Sequence, residues 1–307
     1  MTLGAGAALG LGPRLAFALA PGPLIVRPIP SSGESIPVVG LGSSATFRSV
    51  AEGDDAEGLG DVFKVMVERG ATVFDTAPSY GASEEVAGRL ARELSLTKKL
   101  FWATKVNVAP RGGGAADPAA ARAQVEESFR RFGVGTMDLI QVHNLGDVPV
   151  QLGLLKELKA AKRVRYIGVT STNKEQYGEL ERVMRAEPLD FIGVDYAVDN
   201  RSVEETILPL ALERKIAVMV YVPFGRTRLF QRVGERPLPG WAADFDAATW
   251  AQFFIKYVLG HPAVTVVTPA TSKAKHMVDN LGGGTGRMPD AAMRRRMAEF
   301  IDALPAA

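Results

Sequence analysis

From about residue 35 onward, the chain alternates between two hydrophobic patterns. Short runs rich in β-branched and aromatic residues are typical of strands buried on both faces of a parallel sheet. Between these runs, apolar residues recur every three or four positions, as at Val86, Leu90 and Leu94, which predicts helices. The runs predict strands at residues 38–41, 72–74, 101–106, 138–142, 166–169, 191–194, 217–221 and 264–267.

Strands that alternate with helices in this way predict an α/β fold, a (β/α)8 TIM barrel, because eight such units need about 250 residues. A doubly wound sheet is the alternative. A dinucleotide site on that fold would need a Gly-x-Gly-x-x-Gly turn after the first strand. Residues 40–45 match this pattern only if alanine replaces its last glycine, and no acidic residue follows at the expected distance. The barrel is therefore the favoured prediction.

Further segments flank or interrupt the repeat. Residues 24–29 and 36–39 predict a β-hairpin ahead of the barrel, and residues 289–304 predict a C-terminal accessory helix on its outside. Residues 223–248 predict a long loop after the seventh strand, where a lid is plausible. Residues 23–307 are thus predicted to form a single barrel domain.

Capping residues indicate where two of the helices begin. Asp117 precedes Pro118, which is the usual order of a cap and a first helical residue. Ser83 precedes two glutamates, which favour the positive end of a helix dipole. Helices are therefore predicted to begin after Asp117 and after Ser83.

The first 26 residues carry only one charged side chain, Arg14. Glycines, Pro13 and Arg14 interrupt this segment, whereas a membrane-spanning helix needs about 20 continuous apolar residues, so no integral membrane span is predicted. Residues 16–20 resemble the Ala-x-Ala cleavage sites of export signals, although no basic region precedes them. Residues 1–22 are interpreted either as the remnant of an export signal, which makes the protein periplasmic, or as a disordered tail of a cytoplasmic protein.

The composition narrows the range of partners and of chemistry. The chain has 36 basic and 34 acidic residues and a net charge of +2, which argues against nucleic acid as a partner. It contains 0 cysteines, which excludes disulfides, thiolate metal sites and thiol nucleophiles, and its 3 histidines leave little for a metal site. The predicted partner is a small molecule, and the sequence predicts no particular oligomeric state.

Polar residues follow consecutive predicted strands at the end of the barrel where active sites form, namely Asp75, Tyr80, Lys105 and His143. Each alone could be structural, but together they suit proton donation to a carbonyl group. The lysine ammonium would lower the pKa of the tyrosine, the aspartate would hold the lysine, and the histidine would orient the carbonyl or share the proton. None of these groups supplies a hydride, so a reduction would require a nicotinamide cofactor.

These residues lie in segments that resemble the aldo-keto reductase family. Residues 74–81 read Phe-Asp-Thr-Ala-Pro-Ser-Tyr-Gly, residues 103–106 read Ala-Thr-Lys-Val, and residues 138–144 read Asp-Leu-Ile-Gln-Val-His-Asn. The resemblance spans about residues 23–304 and implies the reduction of an aldehyde or ketone to an alcohol. It implies catalytic roles, with the tyrosine as general acid, for Asp75, Tyr80, Lys105 and His143.

The resemblance also implies a nicotinamide site. Thr170 and Ser171 would bind the carboxamide, and Tyr221 would stack on the nicotinamide ring. Lys273, near the adenosine end, would pair with a 2′-phosphate, which favours NADP(H) over NAD(H). The complete set of implied cofactor-binding residues is Gly42, Ser43, Asp75, Thr170, Ser171, Tyr221, Val222, Pro223, Phe224, Gly225, Thr271, Ser272, Lys273, Asp279 and Asn280.

Three positions depart from the pattern of the family. Gly193 stands where a glutamine usually binds the carboxamide, Ser44 replaces an aromatic residue, and His276 replaces a frequent arginine. The serine is expected to widen the pocket beside the nicotinamide. The residues expected to shape the substrate pocket are Phe47, Trp102, residues 110–114 and the 226–248 loop, in which Phe230 and Trp241 would either cover the ligand or pack the loop down.

Three functions are compatible with these residues. The first is an NADP(H)-dependent reductase of a small carbonyl substrate. The second is a nicotinamide-binding regulatory protein with slow turnover, similar to the potassium-channel β subunits. The departures from the family pattern at Thr170, Ser171 and Gly193 are compatible with this function. The third is a lyase or isomerase that uses Lys105 as a Schiff base, in which Tyr80 and His143 would have little to do.

Overall fold

The computed structural model of the protein describes residues 22–53, 56, 58–110 and 114–305. The strands in this part of the chain are β1 (Val26–Pro28), β2 (Ser35–Pro37), β3 (Leu41–Gly42), β4 (Val73–Asp75), β5 (Phe101–Val106), β6 (Met137–Val142), β7 (Val164–Ser171), β8 (Phe191–Asp195), β9 (Ala217–Tyr221) and β10 (Val264–Val267). The export-signal or tail prediction for residues 1–22 falls, apart from Gly22, outside the described residues.

The α-helices of the described residues alternate with these strands. They are α1 (Thr46–Ala51), α2 (Gly58–Glu68), α3 (Ser83–Glu93), α4 (Pro118–Phe132), α5 (Val148–Ala160), α6 (Tyr177–Ala186), α7 (Ile207–Arg214), α8 (Arg228–Val233), α9 (Trp250–Leu259), α10 (Ala274–Gly282) and α11 (Ala291–Asp302). None of them is both long and apolar enough to cross a membrane.

Strands β3 to β10 form one parallel sheet in chain order, each hydrogen-bonded to the next. Parallel bridges from Val39 to Val267 and from Gly42 to Ala270 join the two edge strands, so the sheet closes. The predicted (β/α)8 barrel is confirmed. The first strand is shorter and later than expected, because only Val39 of residues 38–40 forms a bridge with β10, to Val267, and no continuous ladder forms there.

The predicted N-terminal hairpin is confirmed, and it covers the amino-terminal end of the barrel. β1 and β2 pair antiparallel, with Arg27 opposite Ile36. The Arg27 guanidinium donates to the carbonyl oxygen of Leu259 at 2.6 Å and to that of Val264, which fixes the hairpin to the chain entering β10. Apolar side chains buried with the hairpin close this end of the barrel, among them Ile29, Ile36, Val73, Phe101, Leu139, Phe191 and Met219.

The helices bury one face each, as their spacing predicts. On α4, Val125, Phe129 and Phe132 are buried, and the Asp117 side chain accepts from the Ala119 amide at 2.8 Å, which confirms the predicted cap. The predicted cap at Ser83 is wrong. Helix α3 already begins at this residue, with Ala82 in the cap position, so the hydroxyl cannot receive the amides of the first turn.

The segment predicted as a loop at residues 223–248 is partly helical. It contains α8 and a 3-10 helix at Gly240–Phe245. Phe230 packs on Phe224 and Phe254, with ring centroids 5.0 and 5.6 Å away, and Trp241 packs on Phe253 and on α11. Aromatic packing against α9 therefore fixes this segment, and both aromatic residues hold it down instead of lining the cavity described below.

Candidate active site

The carboxyl ends of the barrel strands surround a cavity of about 1180 Å³. Its wall includes all four residues predicted to be catalytic, Asp75, Tyr80, Lys105 and His143. Asp75 ends β4, Lys105 lies near the end of β5, and His143 directly follows β6. The parallel ladder places these strand ends side by side, so residues far apart in the sequence meet at one mouth.

Asp75 and Lys105 form a buried ion pair. The Lys105 ammonium donates to both carboxylate oxygens at 2.9 Å and to the Thr76 carbonyl oxygen at 2.7 Å. The two side chains are 5% and 1% exposed, so the pair lies out of reach of solvent screening. Burial raises the pKa of the Asp75 carboxyl, and the Lys105 charge opposes that rise.

A tight turn after β4 presents Tyr80 to the cavity. The Tyr80 amide donates to the Ala77 carbonyl at 3.0 Å, and Gly81 has a φ of +54°, which a glycine adopts without strain. The Lys105 ammonium lies 5.4 Å from the centre of the Tyr80 ring. The charge of Lys105 lowers the pKa of Tyr80, as predicted, but burial outweighs it, so the net pKa lies above the ordinary value.

His143 stands edge-on to Tyr80, with ring centroids 5.9 Å apart. Burial and the nearby Lys105 charge lower the pKa of His143 to about 3. The ring is therefore neutral at physiological pH and carries one N–H donor. Its Nδ1 atom is buried and has no hydrogen-bond partner among the described residues.

The loop that carries His143 holds an unusual backbone. Asn144, Leu145 and Asp147 have φ values of +53°, +55° and +38°, a region that residues other than glycine rarely adopt. The Asn144 amide donates to the Thr170 hydroxyl at 3.0 Å, and the Asp147 carboxylate accepts from the Ala116 amide at 2.7 Å. These bonds hold the strained loop over the cavity, as is common at functional sites.

Tyr221, at the end of β9, reaches across the floor of the cavity. Its hydroxyl accepts from the Gln141 side-chain amide at 2.9 Å and donates to Asp75 at 3.4 Å. Burial and the Asp75 charge raise the pKa of Tyr221 well above its ordinary value. Gln141 lies on β6, two positions before His143. Alternate residues of a strand point to the same face, and this spacing is the signal that could have found Gln141.

The implied cofactor-binding residues fall into two groups. Those in the cavity wall are Gly42, Ser43, Asp75, Thr170, Tyr221, Val222, Pro223 and Phe224. Those outside the wall are Ser171, Gly225, Thr271, Ser272, Lys273, Asp279 and Asn280. The Ser171 hydroxyl donates to Gln176 at 2.9 Å, and Asp279 accepts from Thr249 and Gln252 at 2.8 and 2.9 Å. The roles of both groups stay predictions.

Further cavity residues were not singled out from the sequence. They are Arg48, Asn107, Asp147, Gln176 and Glu179. Arg226, in the 226–248 loop that was expected to shape the pocket, also lines the cavity. Asn107 directly follows β5, so its position relative to a strand end was an available signal. Two residues expected to shape the pocket lie elsewhere: Phe47 and Trp102 are buried against Phe74, on the helix side of the sheet.

The cavity suits a nicotinamide dinucleotide in size and in its donors. Its volume lies just above the range of about 300–1,000 Å³ that is usual for small-molecule sites, as a large ligand requires. The Ser43 hydroxyl, after β3, is buried in the wall without a hydrogen-bond partner among the described residues, which is costly unless a ligand supplies one. Exposed Lys273 and Lys275 flank the start of α10, next to the wall segment 268–270, where they would attract phosphate.

Comparison with known proteins places the chain among relatives of one kind. Residues 38–295 match the sequence profile of the Aldo/keto reductase family. The chain is 25% identical over 303 residues to the aldo-keto reductase str7 of Strobilurus tenacellus, covering 86% of this chain and 87% of that protein. It is 30% identical over 191 residues to the aldo-keto reductase YhdN of Bacillus subtilis, covering 60% and 57%.

Solved structures agree in fold. An aldo-keto reductase from Klebsiella pneumoniae in complex with NADPH superimposes with a TM-score of 0.73 at 24% identity, covering 88% of this chain and 92% of that one. The glycerol dehydrogenase of Gluconobacter oxydans superimposes with a TM-score of 0.70 at 24% identity, covering 91% and 95%. At these identities the likeness establishes the barrel and nothing finer.

Proposed function

The chain belongs to the aldo-keto reductase family, and from this premise we propose that it is an NADP(H)-dependent oxidoreductase that reduces an aldehyde or ketone to an alcohol. The observation that carries the proposal is the convergence of Tyr80, His143 and the buried Asp75–Lys105 pair on one cavity. A phenol, a neutral imidazole and a fixed cation are the groups that a carbonyl reduction needs.

The bound cofactor would supply the hydride, and the residues of the chain would supply the proton and the electrostatics. The phenol of Tyr80 is protonated at neutral pH, because the ordinary pKa of a tyrosine is near 10 and burial raises that of Tyr80 further. It is therefore available as the acid when negative charge develops on the carbonyl oxygen. Lys105, 5.4 Å from the ring centre, stabilises the phenolate that remains. His143 is neutral and would orient the carbonyl oxygen through a hydrogen bond.

The assignment of NADP(H) as the cofactor rests on residues other than the four candidate catalytic ones. Ser43 and Thr170 offer hydroxyls in the cavity wall, and residues 222–224 offer backbone beside them. Lys273, exposed at the start of α10, would pair with the 2′-phosphate of NADP(H) and so favour it over NAD(H). The NADPH complex of the Klebsiella pneumoniae relative is consistent with this choice.

The replacement Tyr80→Phe tests the role of the acid. We expect it to lower NADPH-dependent reduction of simple aldehydes by about 10²–10⁴-fold, because the proton donor is lost. The affinity for NADPH, measured by fluorescence titration alongside NADH, should change less than about twofold because the ring remains. Tyr177→Phe, outside the cavity, is the matched control. Near-wild-type turnover in Tyr80→Phe would remove this residue from the acid role.

A second candidate is a nicotinamide-binding regulatory protein with slow turnover. The specific observation in its favour is that the Ser171 hydroxyl already donates to Gln176 and that Gly193 has no side chain with which to bind the carboxamide. Steady-state assays over a panel of carbonyl compounds separate the two functions. Tight NADPH binding without turnover on any member of the panel would favour the regulatory protein.

A further inference from the structure

One aromatic side chain connects three strands of the barrel across the cavity floor. Tyr221 starts from β9, and its hydroxyl reaches Gln141 on β6 and Asp75 on β4. The Lys105 ammonium lies 5.0 Å from the centre of the Tyr221 ring and 5.4 Å from that of Tyr80. The cation therefore lies close to two phenol rings, of which only that of Tyr80 has a proposed chemical role.

This path of the Tyr221 ring depends on Gly193, on the adjacent strand β8. A Cβ atom at position 193 would lie 2.5 Å from ring atom Cε2 and 2.6 Å from the hydroxyl oxygen of Tyr221. Real Cβ contacts are not that short, so any side chain at 193 would move the ring. The glycine is thus the space into which the ring fits.

The Tyr221 hydroxyl accepts one of its two hydrogen bonds and donates the other. The Gln141 Nε2 group donates to the Tyr221 oxygen at 2.9 Å, which occupies a lone pair of the phenol. The phenol proton then points to the Asp75 carboxylate, 3.4 Å away. Asp75 accepts from the Lys105 ammonium as well, so Tyr221 is a second donor to the same carboxylate.

We propose that Tyr221, admitted by Gly193 and oriented by Gln141, is a positioning residue that holds Asp75 ionised beside Lys105 and so sustains the acid function of Tyr80. The inference rests on the proposed function but concerns a different residue. It also differs from stacking on a nicotinamide ring, for which the aromatic ring suffices and the hydroxyl is not needed. Removing the hydroxyl alone therefore separates the two roles.

The first test is Tyr221→Phe, which keeps the ring and deletes the hydroxyl. We expect kcat to fall about 10- to 100-fold, the usual effect of losing a hydrogen bond to a charged group. The Kd for NADPH should stay within about twofold. The groups facing Asp75 are Lys105, Tyr80 and Tyr221, so losing one donor should move the acidic limb of the kcat profile to higher pH.

Tyr177→Phe is the matched control, because the Tyr177 hydroxyl also donates to a carboxylate, Asp195, at 2.7 Å, but outside the cavity wall. It should leave kcat and its pH profile unchanged. Gly193→Ala should lower kcat in the wild-type background and should lower it much less when combined with Tyr221→Phe, because the hydroxyl contact is then already lost. Additive effects on kcat would contradict the role of Gly193 as space for the ring.

A measurement that does not depend on catalytic turnover, the NMR titration of Asp75, completes the test. In protein with 13C-labelled aspartate, the Asp75 resonance, assigned through Asp75→Asn, should titrate at higher pH in Tyr221→Phe than in the wild type. An unchanged titration together with an unchanged kcat profile would overturn the inference. Its failure is distinguishable from that of the proposed function: an active Tyr80→Phe contradicts the acid assignment, whereas an inactive Tyr80→Phe with a wild-type-like Tyr221→Phe contradicts only the role of Tyr221.

Discussion

At the scale of single residues, Lys105 acts on Tyr80 through its charge rather than through contact. An ammonium has three N–H donors, and those of Lys105 are directed at Asp75 and at the Thr76 carbonyl. No donor is left for the tyrosine hydroxyl. Because the pair is buried, its field is weakly screened, and a charge 5.4 Å from the ring centre still favours the phenolate.

The neutral state of His143 gives a prediction about pH. Its pKa is about 3, so its protonation does not change between pH 5 and 8. We expect the kcat profiles of the wild type and of His143→Gln to have the same shape over this range, with the variant uniformly slower. An inflection near pH 6.5, the ordinary pKa of a histidine, that is present in the wild type and lost in the variant would contradict a neutral His143.

At the scale of secondary-structure elements, one carboxylate ties α3 and α4 to β5. Glu84 is 0% exposed and accepts from the Thr104 hydroxyl at 2.6 Å, the Ser128 hydroxyl at 2.9 Å and the Arg131 guanidinium at 2.9 Å. Thr104 is the neighbour of Lys105 on β5. The network therefore fixes the strand that carries the buried cation.

Replacing Glu84 should be costly. We expect Glu84→Ala to lower the free energy of unfolding by about 3–5 kcal/mol, because a partly buried guanidinium and two hydroxyls each lose a buried acceptor. Glu93→Ala, at the other end of α3, removes only an exposed pair with Arg89 and should cost less than about 1 kcal/mol. Denaturant unfolding measures both, and equal losses in the two variants would contradict the network.

The secondary-structure elements also show which parts of the structure can be predicted from the sequence. The strands of the barrel and the cap at Asp117 are local patterns, and they were predicted. Helix α8 was not, because it depends on contacts such as that of Phe230 with Phe254 on α9. The convergence of the candidate catalytic residues follows from strand order, whereas the path of Tyr221 over Gly193 depends on side-chain packing across the barrel, which no local pattern encodes.

At the scale of the whole molecule, two partly buried histidines are neutral in the folded state. His143 lines the cavity with a pKa of about 3, and His261, just before β10, has a pKa of about 4 because of burial and nearby cations. In the unfolded chain both regain a pKa near 6.5. Below pH 6.5 these two side chains thus bind more protons in the unfolded state than in the folded state, and their contribution to stability falls as the pH is lowered towards 4.

His261→Gln should flatten this dependence. Each histidine contributes up to about 1.4 kcal/mol per pH unit to the slope, so the free energy of unfolding of the variant should fall less steeply between pH 6.5 and 4.5. His276→Gln, at an exposed position, is the control and should change the slope less. Denaturant titrations at several pH values measure the slopes. Parallel curves for the wild type and His261→Gln would contradict the prediction.

The N-terminal hairpin has a practical consequence for handling the protein. Ile25 pairs with Val38, beside the amino-terminal end of the barrel, while the cavity opens at the carboxyl ends of the strands. A resin, sensor surface or fusion partner coupled at residue 22 is therefore attached at the face opposite the cavity. Molecules immobilised in this way should present their cavities to the surrounding solution, and immobilised protein should bind small molecules as freely as protein in solution.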